Sequence, residues 1–509
     1  MGRASGIKIQ PEISTVRCWA DEAICGHQLP VSFSPPSALE STAPERKQKI
    51  QNQLSSMTSA ELISNYRNFR ETSYGIKQQE KVEEAALVDC QKLSIQEVIR
   101  LAGMRFIQMH DPRFAYLSAL MLPSGQSISG LSKRDIEEVE LVQLLLSAAD
   151  EVGQQQFDQA NAVLSYCEMF SPKQASPVQN VVLYFAQALR ERIDKATRIH
   201  QVERMLARTD PCSTTDFMLL ICHNTLLPHI QITQFAAIQA AVDNTATARR
   251  IHVIDLALRS GMHLAVLMQA LSERKTEVVD LLKVTAVNTF ERGMVEESGR
   301  RLAKFAESMG VNLSFNVILV NDIADVKGES FDIEDGEAVV VYGSMALMTM
   351  ISRQDSLDRL MRVFGTLNPS AMVITEIEAN LNAPPFVSRF TDALFFYSSV
   401  FDCLDTCMAN EKEVKMLMEQ HLRQGIKNIL STDGHERTMR SVKIDVWRAF
   451  FARHRMVEVG LSESSLNQAK LVAAQHPYGR FSMLKHDGKC LLVGWIGTPL
   501  LSLSVWKFR

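Results

Sequence analysis

The fold of this chain is decided by residues 251–271, which read IHVIDLALRSGMHLAVLMQAL. Ile251 and Ile254 lie in a short apolar run, which is typical of a strand buried in a parallel sheet. Asp255 ends this run, and a loop that carries one glycine, Gly261, follows it. Apolar residues then recur at helical spacing. A strand, an acid, a glycine-bearing turn and a helix form the opening unit of a nucleotide-binding α/β fold.

The loop of this unit lacks the features that bind a nucleotide cofactor. Such a loop needs several glycines so that the backbone can approach the ligand, but Leu258 and Arg259 stand beside the single Gly261. The acid expected after the second strand, which would hold a ribose, is replaced by Asn288, a weaker partner by roughly 1 kcal/mol. We therefore expect Asp255, Gly261 and Asn288 to form a vestigial pocket without a cofactor, in which Asp255 bonds the loop amides.

The composition of the chain indicates which classes of protein and partner to expect. The chain has 509 residues, of which 46% are hydrophobic, so it can bury a large core. A net charge of -4 gives no general attraction for nucleic acid, and protein partners are therefore expected. The nine cysteines have no framework spacing, and no signal peptide or membrane-spanning apolar run is recognised. These features indicate a soluble, intracellular, reduced protein with no metal site and no membrane contact.

The N-terminal part differs in composition from the rest. Residues 1–80 contain a Ser/Pro-rich stretch and a polar run, which predict a largely disordered region. Within it, Arg46-Lys47-Gln48-Lys49 is a candidate nuclear import signal, although a solvated basic cluster is the plainer interpretation. Residues 81–130 are predicted to be a helical lead-in to the main domain.

Two apolar stripes predict packed helices in residues 131–200. The first stripe lies in residues 135–152 and includes Leu145, and the second follows Pro177. Residues 141–145, LVQLL, also fit the LxxLL pattern of helices that dock into co-regulator grooves, but we assign Leu145 to the core. The second stripe is assigned both to the core and to a partner interface, and it consists of Val178, Val182, Phe185 and Leu189.

Strand and helix patterns alternate after residue 280. Strands are predicted at 282–287, 313–319, 338–342 and 372–377, with helices between them. Near the C terminus, an Asp487-Gly488 turn joins two strand patterns in an antiparallel hairpin. The predicted fold class is therefore α/β: a Rossmann-like core, similar to class I methyltransferases, with an α-helical cap and a C-terminal antiparallel hairpin.

Some reactive side chains have plain structural interpretations. His252 lies between apolar residues of the first strand and is predicted to be structural. Cys403 and Cys407 stand one helical turn apart and are predicted to be neighbours in the core. Glu436 and Arg437 are predicted to form ion pairs. We identify no catalytic residue.

The block Ile251-His252-Val253-Ile254-Asp255 resembles the VHIID signature of the plant GRAS family, and further blocks of that family follow in order. They include Asn368-Pro369, Glu376-Ile377-Glu378, Trp447-Arg448 and Ser504-Val505-Trp506. The resemblance divides residues 131–509 into leucine repeat I (131–200), VHIID (210–280), leucine repeat II (299–331), PFYRE (338–431) and SAW (435–509). This region is similar to that of the DELLA subgroup, but no Asp-Glu-Leu-Leu-Ala sequence is present.

The resemblance implies a plant transcriptional regulator in the nucleus, not an enzyme. It would act by binding DNA-binding transcription factors and other GRAS proteins, as a homodimer or heterodimer, in hormone, developmental or symbiotic signalling. Trp447, Trp495 and Trp506 of the SAW region would join the second leucine stripe as partner-binding residues. Two alternatives remain open: an S-adenosylmethionine-dependent methyltransferase acting on a small metabolite, and a helical scaffold without a role in transcription.

Overall fold

The computed structural model describes residues 93–110, 131–170, 176–197, 227–289, 292–476 and 479–509, excluding the side chains of 107–110 and 354. The candidate import signal Arg46-Lys47-Gln48-Lys49 lies outside these residues. The described helices are α1 (Ile95–His110), α2 (Lys133–Gly153), α3 (Phe157–Met169), α4 (Pro177–Thr197), α5 (Pro228–Asn244), α6 (Met262–Ser272), α7 (Arg292–Ser308), α8 (Gln354–Leu367), α9 (Phe386–Cys407), α10 (Lys412–Ser431), α11 (Ile444–Arg453) and α12 (Glu463–Ala474). The strands are β1 (Arg250–Leu256), β2 (Leu281–Asn288), β3 (Leu313–Leu319), β4 (Ala338–Ser344), β5 (Ala371–Ile377), β6 (Met456–Val459), β7 (Phe481–His486), β8 (Cys490–Trp495) and β9 (Thr498–Phe508).

The strands form one mixed, nine-stranded sheet. Its order is β3-β2-β1-β4-β5-β9-β8-β7, and β6 pairs with β9. Strands β1 to β5 are parallel, in the order of a doubly wound Rossmann-like sheet. The predicted mixed α/β class is therefore confirmed.

The C-terminal part of the sheet is larger than the predicted hairpin. The hairpin itself is present, since β7 and β8 are antiparallel from Phe481 to Trp495. Strand β9 continues the chain and inserts between β5 and β8, antiparallel to both. It also pairs with β6. The terminal strand therefore joins the parallel and antiparallel halves of the sheet.

Helices α1 to α4 pack with α9 and α10 around one apolar core. Helix α2 begins after Ser132, whose hydroxyl accepts a hydrogen bond from the amide of Asp135 at 3.1 Å, a typical N-cap. Its stripe turns inward, and Leu145 is fully buried. The assignment of Leu145 to the core is therefore confirmed.

Helix α1 belongs to the same packing unit. Val98, Ile99 and Ala102 are fully buried. The backbone amide of Gln96 donates to Asp402 of α9 at 3.0 Å, and its side-chain amide donates to Thr498 of β9 at 2.6 Å. Residues from the predicted lead-in are thus built into the folded domain. Within the described part of the chain, no helix is both long enough and apolar enough to span a bilayer.

Candidate functional site

The carboxyl edge of the parallel sheet carries Asp255 at the end of β1. Its carboxylate oxygen Oδ2 accepts a hydrogen bond from Nε2 of His263 at 2.6 Å. The His263 ring stacks on Tyr342 of β4, with centroids 4.5 Å apart and planes inclined by 7°. Asp255 and Tyr342 are register partners in adjacent strands, which explains why one ring can contact both. The donor to Asp255 is therefore a side chain, where the sequence had predicted the loop amides.

Asn288 and Gly261 hold the loop between β1 and α6. The Asn288 amide Nδ2 donates to the carbonyl of Leu258 at 2.7 Å, and both side chains are buried. Gly261 has a φ of 75°, and an added Cβ would lie 3.0 Å from Cδ1 of Leu302. Only glycine adopts this positive φ and this close approach to Leu302 without strain. The three predicted pocket residues thus meet at one loop, where Asp255 and Asn288 bond to other residues of the chain itself.

Glu376 adds a buried acid to this edge of the sheet. It lies at the end of β5, and its Oε1 accepts a hydrogen bond from the backbone amide of Leu347 at 2.9 Å. Burial raises the pKa of Glu376 to about 8, so the carboxyl group is mainly protonated at neutral pH. Arg259 of the loop attracts it electrostatically. Glu376 was not predicted as a site residue, although its position at the end of a parallel strand is a signal that the sequence carries.

Glu378 connects this edge to the following helical segment. Its Oε2 accepts a hydrogen bond from the backbone amide of Ile444 at 3.0 Å, at the start of α11. Burial raises the pKa of Glu378 to about 7. At the end of β5, the buried carboxyl groups of Glu376 and Glu378 therefore both accept hydrogen bonds from backbone amides.

His252 of the VHIID block faces a different group of charges. Its Nδ1 lies 3.2 Å from Oε2 of Glu337, and its Nε2 lies 2.8 Å from the hydroxyl of Thr285. Lys283 lies 3.8 Å from the same glutamate. Burial lowers the pKa of His252. Both ring nitrogens have protein partners, so the structural interpretation of His252 is confirmed.

The second leucine stripe lies inside the cap. Its four residues are at most 3% exposed, and Phe185 packs edge-on against Phe390 at 5.5 Å between ring centroids. A side chain without exposed area offers no contact surface to a partner. The structure therefore corrects the interface part of this assignment and places four residues in the chain's own core: Val178, Val182, Phe185 and Leu189.

The three SAW-region tryptophans are also buried. Trp495 donates from Nε1 to Oδ1 of Asp402 at 2.9 Å, which ties β8 to α9. Trp447 and Trp506 both contact Phe451, with centroid distances of 6.0 and 4.5 Å. The structure corrects their placement on a partner surface, because their apolar rings fill the space between the sheet and its helices.

Two further pairs were predicted from sequence. Cys403 and Cys407 are neighbours, with sulfur atoms 3.9 Å apart. Arg437 does not pair with Glu436 among the described residues, because it turns inward and donates from Nη2 to Oδ1 of Asn382 at 3.3 Å, while Glu436 is exposed. Because neither side chain forms an ion pair with another described residue, the predicted ion pairs of Glu436 and Arg437 are wrong.

One group of side chains has the composition of a metal site. Asp445, His486 and Asp487 bring their ligand atoms within 4.8 Å of one another in the described part of the chain. Arg448 already donates to Asp445 at 3.0 Å and to Asp487 at 2.9 Å. A guanidinium group therefore supplies the positive charge that these two carboxylates attract.

Comparison with known proteins places this architecture in a family. The GRAS domain family model matches residues 141–507. The DELLA protein RGL1 of Arabidopsis thaliana is 30% identical over 390 residues, which cover 76% of this chain and 73% of that protein. The DELLA protein GAI1 of Vitis vinifera is 28% identical over 373 residues, covering 72% and 62%.

A solved structure shares the fold. SCL7 of Oryza sativa aligns with a TM-score of 0.63 and 24% sequence identity, over 72% of this chain and 99% of that one. Because the family model extends from the cap helix α2 to strand β9, it includes both the apolar cap and the sheet that carries Asp255. This chain belongs to the GRAS domain family.

Proposed function

We propose that this chain is a plant transcriptional regulator that acts in the nucleus by binding DNA-binding transcription factors and other GRAS proteins. Membership of the GRAS family, together with similarity to DELLA proteins, supports this role. A role in hormone, developmental or symbiotic signalling is part of the same proposal. Direct binding of nucleic acid is not expected, because the net charge of -4 gives no basic surface overall.

One observation at the sheet edge supports a regulator over an enzyme. The fold resembles that of class I methyltransferases, whose cofactor would lie beside Asp255 and the loop before Gly261. There His263 bonds the Asp255 carboxylate, and Asn288 bonds the loop carbonyl of Leu258. A cofactor would need to replace contacts that the chain already makes with itself. We therefore propose that neither S-adenosylmethionine nor another cofactor is needed.

Association with a second GRAS chain needs exposed side chains, since the predicted stripe is buried. The end of α3 offers Tyr166, Met169 and Phe170, which share one helical face because they are spaced three and four residues apart. Met169 is 65% exposed, and Tyr166 and Phe170 form a ring pair at 4.5 Å. We assign the contact with another GRAS chain to this apolar trio, within the leucine-repeat region that the family resemblance associates with dimer formation.

Two measurements test the proposed function. A two-hybrid panel of plant transcription factors and GRAS proteins, with the full chain as bait, is expected to give specific pairs, and a fluorescent fusion is expected in the nucleus. Met169→Glu should weaken pairing with GRAS proteins, while Val278→Glu, a change at an exposed apolar residue between α6 and β2, should not. Calorimetry with S-adenosylmethionine should give no binding heat. Micromolar binding of that cofactor, or a fusion excluded from the nucleus, would contradict the proposal.

A further inference from the structure

Four arginines from separate parts of the chain lie close together, and we call them the arginine cluster; two of them contact one carboxylate. Arg192 comes from α4, Arg389 from α9, and Arg437 and Arg440 from the segment between α10 and α11. The carboxylate is that of Asp433, just after the end of α10. Arg192 Nη1 lies 2.8 Å from its Oδ2, and Arg389 Nη2 lies 3.1 Å from its Oδ1.

The other two arginines bind a neutral group instead. Arg440 donates from Nη1 to the Asn382 side-chain oxygen at 2.7 Å, and Arg437 donates from Nη2 to the same atom at 3.3 Å. The nearby Glu191 is engaged elsewhere, since Lys195 and Lys427 lie 2.9 and 2.7 Å from it. The cluster of four guanidinium groups therefore contains one carboxylate, that of Asp433, and keeps an excess of positive charge.

The pKa shifts agree with this charge imbalance. Burial, followed by the positive charges of Arg437, Arg192 and Arg440, lowers the pKa of Arg389 to about 10. Arg448 gives the opposite case, because burial lowers its pKa but Glu458 and Asp445, which bind it, outweigh burial and hold the pKa above the usual value. Arg389 and Arg437 thus lie among more guanidinium groups than carboxylates, and an additional anion would offset this excess of positive charge.

Arg437 carries hydrogen-bond donors that the described chain does not satisfy. The residue is 7% exposed, and its Nε and Nη1 are buried without an acceptor among the described residues. Buried N–H groups almost always have a partner, because an unpaired one loses the hydrogen bonds that water would have supplied. A guanidinium group presents five such donors in a planar fork, which matches the oxygens of phosphate or carboxylate.

A packing role accounts for only part of the arginine cluster. Arg192 lies over the Phe386 ring at 4.3 Å and donates to the Leu430 carbonyl at 3.2 Å. Arg389 donates to the Ala383 carbonyl at 2.8 Å. These contacts tie α4 and α9 to the end of α10, but they leave the free donors of Arg437 unexplained.

We propose that the arginine cluster is a binding site for an oxyanion of the phosphate-monoester class, in which Asp433 holds the place of the anion. The Asp433 side chain is 59% exposed, so it lies on the solvent side and can turn outward. A phosphate group would then take the position between Arg192 and Arg389, and its additional oxygens would accept hydrogen bonds from Arg437. The oxyanion site would exist whether or not the chain acts on transcription.

Thermal melting of the full chain in phosphate and in chloride, at equal ionic strength and pH, tests the site. We expect phosphate to raise the melting temperature of the wild type. Asp433→Asn removes the competing carboxylate, so phosphate should raise its melting temperature further and bind about tenfold more tightly by equilibrium dialysis. Arg437→Gln should abolish the response in both assays. If Arg437→Gln does not fold, Arg440→Gln replaces it, with at least a tenfold loss of phosphate affinity expected.

Matched controls separate a specific site from general charge effects. Arg249 binds Asp280 through two hydrogen bonds, of 2.9 and 2.8 Å, on the exposed surface. Arg249→Gln and Asp280→Asn should therefore leave phosphate binding unchanged. Equal responses of Asp433→Asn and Asp280→Asn, or phosphate binding retained by Arg437→Gln and Arg440→Gln, would overturn the proposal.

The source of the phosphate group is decided by three probes used with Asp433→Asn. Binding of inorganic phosphate alone indicates a site for the free ion. Tighter binding of N-acetyl-phosphoserine amide indicates a site for a phosphorylated side chain, and the same compound without phosphate should not bind. Lack of binding by both phosphate-bearing probes would contradict the oxyanion site.

Discussion

Oδ2 of Asp255 and Nε2 of His263 lie 2.6 Å apart, across the turn that joins the first strand to its helix. The Asp255 carboxylate at the carboxyl edge of the sheet is therefore hydrogen-bonded to a side chain of the same chain. Because His263 also stacks on Tyr342, the pair links β1, α6 and β4.

Replacing His263 tests how much the hydrogen bond between His263 and Asp255 contributes to the free energy of unfolding. His263→Phe keeps a ring that can stack on Tyr342 but leaves the buried Asp255 carboxylate without its donor. We expect a loss of about 1–3 kcal/mol in the free energy of unfolding. Denaturant titration measures it, and a double-mutant cycle with Asp255→Asn isolates the pair. A coupling energy near zero would contradict this role.

Leu145 tests whether the LVQLL sequence is structural. Leu145→Ala removes a fully buried side chain from the cap, so we expect a loss of about 2–5 kcal/mol in stability. Met169→Ala, at an exposed position on α3, should cost less than about 0.5 kcal/mol. Thermal melts of dilute monomer, with analytical ultracentrifugation beside them, check both. An unchanged melt with lost association for Leu145→Ala would instead favour a docking motif.

A substitution of Phe185 tests whether the second stripe belongs to the core or to a partner interface. Phe185→Ala should cost about 3–5 kcal/mol, because the ring is fully buried against Phe390 and Tyr397. Ultracentrifugation of the folded variant should give the same association constant as the wild type. A selective loss of association without a change in stability would restore the interface assignment.

Glu376 should make stability depend on pH in a definite direction. Its pKa rises from 4.5 in the unfolded chain to about 8 in the folded chain, so folding favours the protonated form. Its stabilising contribution is complete below pH 4.5 and is lost as the pH rises through about 8. We expect Glu376→Gln to flatten the decline in unfolding free energy over this range. Glu307→Gln, an exposed change on α7, should follow the wild-type curve.

Glu337 is expected to stabilise the fold by pairing with the buried polar groups around His252. Its side chain is 1% exposed and faces both His252 and the buried Lys283. Glu337→Ala leaves the lysine without this partner and should cost about 3–5 kcal/mol in denaturant unfolding. Glu334→Ala removes the exposed partner of Arg250 and should cost under about 1 kcal/mol. Equal effects of the two changes would show that the buried group contributes no more than a surface pair.

The sequence by itself determined the parallel strands, the C-terminal hairpin and the amphipathic helices of the cap, but not strands β6 and β9. Hydrophobic periodicity is a local property, so residues 313–319 predicted β3 with the observed ends, and the stripe of α2 predicted its buried face. The resemblance of residues 251–255 to a family signature likewise needed no coordinates. Asp255, Gly261 and Asn288 were recognised as neighbours because they flank consecutive parallel strands.

Only the tertiary structure decided which side chains meet across the chain. Trp495 was predicted on a partner surface, but it bonds Asp402, which is 93 residues away in sequence. Arg437 was predicted to form an ion pair in the SAW region, but it lies among arginines from α4 and α9. An apolar or charged residue carries the same local signal whether its partner belongs to its own chain or to another. The packing of α9 against the sheet and of α4 against α10 selects the partner, because burial and electrostatic attraction act through space and not along the sequence.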